Sequence, residues 1–180
     1  MAGDERIRLF CALQLPGDAL DRLAEWQARA LRGSSVRVVP RENLHVTLAF
    51  LGSRPAGEVG AIATELRSAA AASAPFELRP VRYRETRKVG MIVLDDPSGA
   101  ATALAEDVQT RLERLGVYRR ERRRWLPHVT VSRFREAEGL RPEVANTCSI
   151  HVVRSALYRS TLGTGEPRYD ALETAALGGT

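Results

Sequence analysis

Lysine is almost absent from this 180-residue chain: Lys88 is the only one, and the other 26 basic residues are arginines. Cysteine is scarce as well. Cys11 and Cys148 stand alone, without the spacing of a thiolate metal site or a disulfide framework, which fits a reducing cytoplasm. No apolar run approaches the ~20 residues of a membrane-spanning helix. The opening Met1-Ala2-Gly3-Asp4-Glu5-Arg6 has no apolar stretch of the kind that marks a signal peptide. No single charge sign dominates: 27 basic against 22 acidic residues give a net charge of +5, a modest lean toward anionic partners. Hydrophobic residues at 44% and charged residues at 27% exclude a disordered or fibrous chain. A chain of this length buries roughly 70% of its unfolded surface, so it needs neither metal nor disulfide to hold a core. Arginine suits bidentate phosphate contacts, but the abundance of Ala, Gly and Leu points to compositional bias for the average arginine. Local clusters carry the information.

Hydrophobic patterning lays out the elements. Residues 7–15 read as a strand. Pro16-Gly17-Asp18 leads into a helix of about 14 residues that ends at Gly33, with apolar side chains near helical spacing. Strands follow at 36–39 and 44–51. A second helix runs from Pro55 to the alanine run 69–72 and stops before Pro75. Strands at 76–83 and 89–94, a helix from about 98 to 115, and strands at 126–134, 150–158 and 168–175 complete the order β-α-β-β-α-β-β-α-β-β-β. No linker is long enough to separate two domains, so residues 1–180 are read as one. The lack of steady βαβ alternation favours an α+β class.

The sharpest signal is a repeat. Leu44-His45-Val46-Thr47-Leu48 returns as Pro127-His128-Val129-Thr130-Val131, placing two of only three histidines in the same His-Val-Thr, 83 residues apart. On a strand, residues i and i+2 share a face. His45 and Thr47 then look one way, opposite Val46, Leu48 and Phe50; His128 and Thr130 look one way, opposite Val129 and Val131. The apolar faces pack under helices and the His/Thr faces meet in a cleft. Two imidazoles can serve as general base and general acid near neutrality. Threonine hydroxyls can hold non-bridging phosphate oxygens. In-line displacement at phosphorus wants a group on each side, which two matched strands supply. No metal is required by this chemistry, and no third ligand accompanies either motif at metal spacing.

Asn43 to Gly52 and Trp125 to Arg133 resemble the two HxTx motifs of the 2H phosphoesterase superfamily, and within it the RNA 2′,3′-cyclic phosphodiesterases, also known as 2′-5′ RNA ligases. Arg8 to Leu13 is similar to that family's opening strand, and Leu157 to Leu162 with Gly165 and Tyr169 to its closing strands. The resemblance implies a bilobal α+β fold: two lobes related by a pseudo-twofold, with antiparallel sheets flanking a central cleft and helices outside. It implies metal-independent hydrolysis of RNA 2′,3′-cyclic phosphate ends to 2′-phosphomonoesters, with no cofactor. Cyclic nucleotides, 2′-5′-linked substrates, reversible ligation and a non-catalytic RNA-binding module stand as alternatives. His45 is implied as proton donor and His128 as proton acceptor, with Thr47 and Thr130 on the phosphate. Arg133 matches a substrate-contacting position, although strand parity puts it on the face opposite Thr130. The implied protein is a cytoplasmic monomer with no membrane and no obligate protein partner.

Other residues are read individually. Arg119 to Arg124 carries four net positive charges immediately before the second motif, either a solvated loop or a clamp on an RNA backbone that would include Arg124. Trp125 and Phe10 can stack on a nucleobase, with Phe10 favoured as core. Pro127 marks the entry to a strand. His151 is read as structural or surface, and Cys11 and Cys148 as small buried hydrophobes.

Overall fold

The unbroken apolar run of the first strand is explained by its neighbours. In the computed structural model, which describes residues 5–145 and 148–178, β1 (Arg6–Gln14) lies between two other strands and is covered on both faces from Leu9 to Leu13. The chain continues through α1 (Gly17–Ala30), β2 (Arg37–Val38), β3 (Val46–Pro55), α2 (Val59–Ala71), β4 (Phe76–Glu85) and β5 (Val89–Asp95). It closes with α3 (Ala100–Arg114), β6 (His128–Arg133), β7 (Ile150–Val152), β8 (Arg154–Thr161) and β9 (Arg168–Ala176).

These strands form two sheets, in the orders β3-β1-β8-β9 and β2-β6-β5-β4-β7, and every pairing is antiparallel. Helices α2 and α3 pack together on the four-stranded sheet, α2 over β8 and β9 and α3 over β3. Helix α1 covers the five-stranded sheet: Trp26 meets Tyr83 of β4 at 5.9 Å between ring centres. Leu9, Leu13 and Leu48 of the four-stranded sheet and Ile62, Leu66 and Leu112 of the helices over it are essentially inaccessible, each worth about 1.5–3 kcal/mol of burial. The α+β, two-sheet expectation therefore holds.

Three local expectations need correction. The run 150–158 is two strands rather than one. It breaks at Val153, which is 38% exposed, because β7 pairs with β4 in one sheet while β8 pairs with β1 in the other. The strand of the first repeat starts at Val46 and runs on to Pro55 rather than spanning 44–51, since a 3₁₀ turn over Arg41–Asn43 precedes it and Gly52, at φ +68°, carries the chain on without breaking it. The two thiols differ: Cys11 is buried but Cys148 is exposed.

Candidate active site

Each repeat histidine stands at the mouth of its strand rather than inside it. His45 precedes β3 by one residue and His128 opens β6, directly after Pro127. The backbone folds around both rings in the same way. Nδ1 of His45 donates to the carbonyl of Asn43 at 2.7 Å, and Nδ1 of His128 to that of Leu126 at 2.8 Å. A carbonyl can only accept, so in the neutral state each ring carries its proton on Nδ1 and keeps a lone pair on Nε2. The Thr47 hydroxyl lies 3.1 Å from His45 Nε2 and donates to it.

His45, Thr47 and Thr130 line one cavity of about 550 Å³, together with Phe10, Phe50 and Arg133. His128, Trp125 and Arg124 line an adjoining groove that also reaches Thr47 and Phe50. The expected site residues thus divide between two adjoining recesses that share Thr47 and Phe50. A third, smaller pocket under α1 holds neither a repeat histidine nor a repeat threonine.

Phe50 and Arg133 correct the parity argument. On β3, Ala12 pairs with Thr47 but Cys11 pairs with Ala49, so Leu48 is an extra residue. On β6, Met91 pairs with Thr130 but Gly90 pairs with Ser132, so Val131 is extra. A bulge shifts alternation by one. Phe50 therefore faces the cleft with 53% of its surface exposed, and Arg133 returns to the Thr130 side. Both bulges fall three residues after a histidine, and a glutamine from a helix caps each. Gln109 of α3 donates to the Leu48 carbonyl at 2.9 Å, and Gln27 of α1 to the Val131 carbonyl at 2.8 Å. The capping is crossed: α1 follows β1 yet caps the bulge of β6, while α3 follows β5 yet caps that of β3. On Gly90, opposite the second bulge, a Cβ would run into the Tyr83 and Ser132 hydroxyls.

Burial dominates the electrostatics at His45. It pushes the imidazole down to about 4, the Asn43 carbonyl opposes this, and the positive charges of His128 and Arg133 add to it. The ring rests 4.9 Å from that of Phe10, which itself stacks on Tyr158 at 5.1 Å. Phe10 is 3% exposed; it supports His45 and offers no face to a base. Trp125 is half-buried and donates from Nε1 to the Thr47 carbonyl at 2.9 Å, tying the second repeat to the first. The arginine cluster divides. Arg120 is spent on α3, bonding the Glu106 carbonyl and the Thr110 hydroxyl, whereas Arg123 and Arg124 face the groove.

Sequence reading missed Gln27, Gln109, Asn43, Arg8, Arg37 and Glu166. The two glutamines left a trace, being polar residues on otherwise apolar helical stripes. Asn43 is buried and donates to the Pro167 carbonyl at 2.8 Å, so it anchors the turn before His45. Among the described residues no group of three or more His, Cys, Asp or Glu side chains gathers, and no helix is long and apolar enough to cross a membrane.

Comparison with known proteins matches this geometry to a family. The model of the 2′-5′ RNA ligase superfamily matches residues 16–158. The chain is 26% identical to an RNA 2′,3′-cyclic phosphodiesterase of Escherichia coli, over 94% of this chain and 96% of that protein. It is 29% identical to an RNA 2′,3′-cyclic phosphodiesterase of Thermus thermophilus, over 96% and 91%. A crystal structure of Escherichia coli LigT complexed with 3′-AMP superposes with a TM-score of 0.83 at 26% identity, covering 96% of this chain and 99% of that one.

Proposed function

Because the chain belongs to the 2′-5′ RNA ligase superfamily, we propose that it is a cyclic phosphodiesterase that hydrolyses RNA 2′,3′-cyclic phosphate ends to 2′-phosphomonoesters, using its two histidines as acid and base. Relatives that carry the name RNA 2′,3′-cyclic phosphodiesterase support the activity. The observation that supports the mechanism is the matched tethering of His45 and His128, each held through Nδ1 with Nε2 left free for chemistry, in adjoining recesses that share Thr47 and Phe50.

The chemistry follows from those atoms. The cyclic phosphate sits between the rings, with Thr47 and Thr130 donating to its non-bridging oxygens. His128 Nε2 takes a proton from water as the water oxygen bonds to phosphorus. The bond from phosphorus to the 3′-oxygen breaks, and that oxygen receives the proton carried by His45 Nε2. Thr47 exchanges its free-state partner, His45 Nε2, for a phosphate oxygen. The products are a 2′-phosphomonoester and a 3′-hydroxyl. Arg133 places positive charge where negative charge spreads over the phosphoryl group.

The test is turnover of an oligoribonucleotide ending in a 2′,3′-cyclic phosphate, with and without chelator, by the parent protein and by His45→Ala and His128→Ala. The expected result is a 2′-phosphate product, no loss with chelator, and a fall of at least about a hundredfold in kcat for each variant. Unchanged turnover in either variant would remove that histidine from the chemistry, and loss with chelator would remove the metal-free route.

A further inference from the structure

The His45 cavity carries more positive charge than a single cyclic phosphate requires. Arg37 and Arg133 are directly paired across β2 and β6, so their side chains rise from the same face into the cavity. Like charges placed opposite on adjacent strands repel. Arg133 is close enough to depress the His45 imidazole; Arg37 stands one strand farther out, on the sheet edge. Arg8 lines the same cavity, its guanidinium 5.4 Å from the centre of the Phe50 ring. Against these three arginines, Glu166 is the only carboxylate among the described residues lining the cavity.

Glu166 belongs to the loop between β8 and β9. Its Oε1 lies 2.6 Å from Arg37 Nε, yet that oxygen is buried without a well-aligned hydrogen bond. The pair joins the two sheets across the cleft: Arg37 belongs to the five-stranded sheet, and Glu166 follows β8 of the four-stranded one. A carboxylate so placed on a guanidinium occupies the position an incoming phosphate oxygen would take, since both anions accept from the same fork.

Resting on the hydrolase reading above, we propose that Arg37 forms a second phosphate subsite, which receives the phosphodiester one nucleotide upstream of the cyclic end, with Arg133 shared between that phosphodiester and the cyclic phosphate, and that Glu166 fills it until RNA arrives. The substrate class is then a chain of two or more nucleotides rather than a free cyclic mononucleotide. One phosphodiester relieves the repulsion between Arg37 and Arg133 better than Glu166, which engages Arg37 alone.

The experiment compares two dinucleotides ending in a 2′,3′-cyclic phosphate, identical except that one has a normal phosphodiester and the other an uncharged methylphosphonate linkage. The expected result is a kcat/KM about tenfold higher for the charged linkage, the yield of one charge-assisted contact. In Arg37→Gln this advantage falls below about threefold, and in Glu166→Gln it grows because the competing anion is gone. Arg32→Gln, the same charge change at an exposed position outside the cavity lining, keeps the advantage and separates a local contact from overall charge. Equal turnover of the two dinucleotides, or an advantage that survives Arg37→Gln, overturns the subsite. If no cyclic end is opened at all, the hydrolase reading fails, and the subsite stands or falls on the binding difference between the two dinucleotides.

Discussion

Phe50 and Arg133 hold the same place in the two halves of the molecule: each stands five residues after a cleft histidine, and each is turned toward the cleft by a bulge three residues after that histidine. The two halves use one backbone device to present different side chains, an exposed aromatic face on one and a guanidinium on the other. A half-exposed phenyl ring in a cleft lined by arginines suits a planar base, which buries apolar area and lets the phosphates reach the cations. Phe50→Ala is expected to raise KM for a cyclic-ended oligonucleotide by about 5- to 100-fold, the range for one lost base–aromatic stack, with a smaller change in kcat. Phe50→Trp should retain most of the binding. Steady-state kinetics on both variants decide it; an unchanged KM in Phe50→Ala would mean that the ring contacts no substrate.

The bulges themselves are held by buried amides. Gln27 also donates to the Val39 carbonyl at 3.0 Å, so it joins the residue after β2 to the bulge of β6. Replacing Gln109 by Leu leaves the Leu48 carbonyl buried without its side-chain donor, at a cost of about 1–3 kcal/mol. Urea unfolding should show that loss for both Gln109→Leu and Gln27→Leu. Activity should separate them from ordinary core damage. Gln109→Leu should raise KM through Phe50, whereas Gln27→Leu should lower kcat through Arg133, each beyond the change in a core variant of matched stability such as Leu112→Val. Kinetics that track stability alone would reduce the glutamines to packing.

Gly90 is the third support of this device. It faces Ser132 across the ladder just where β6 is bulged, and the Tyr83 hydroxyl lies 3.3 Å from that of Ser132 in the space a methyl would take. Gly90→Ala must therefore push β5 away from β6 or expel the tyrosine, at a cost of about 1–3 kcal/mol. A lowered urea midpoint with a weakened Arg133 contribution to kcat/KM is the expected pair of results. A variant as stable as the parent protein would show that the strand yields freely there.

The duplicated His-Val-Thr was legible because chemistry-bearing residues repeated in an otherwise histidine-poor chain. The bulges were not, since Leu48 and Val131 continue a regular apolar alternation and nothing in a single sequence distinguishes an extra residue from the next residue of a strand. Arg37 and Glu166 were hidden for a different reason. They lie 129 positions apart in the chain, and only the sheet orders bring β2 and the β8–β9 loop to the same end of the cleft. Val153 shows a related limit: one apolar run serves two sheets, and local pattern carries no sign of a change of partner.

The depressed basicity of His45 sets its own test. With the folded-state value near 4 and the ordinary value at 6.5, the unfolded chain binds the proton more readily, so stability from this group is complete above about pH 6.5 and falls as pH drops toward 4. The shift corresponds to at most about 3.5 kcal/mol at 1.36 kcal/mol per unit. His45→Asn should lose that slope between pH 6.5 and 4 in urea titrations, relative to the parent protein. The same depression means that the free ring is neutral near pH 7 and cannot yet act as a proton donor. A bound phosphodiester offsets the charge of Arg133 and accepts a hydrogen bond from protonated Nε2, which raises the imidazole again. Binding a dinucleotide with a 2′,3′-cyclic phosphate end to His128→Ala, where turnover is blocked, should then take up about half to one proton at pH 6, read by calorimetry in two buffers of different ionisation enthalpy. Zero uptake would assign His45 the acceptor role and transfer the donor role to His128.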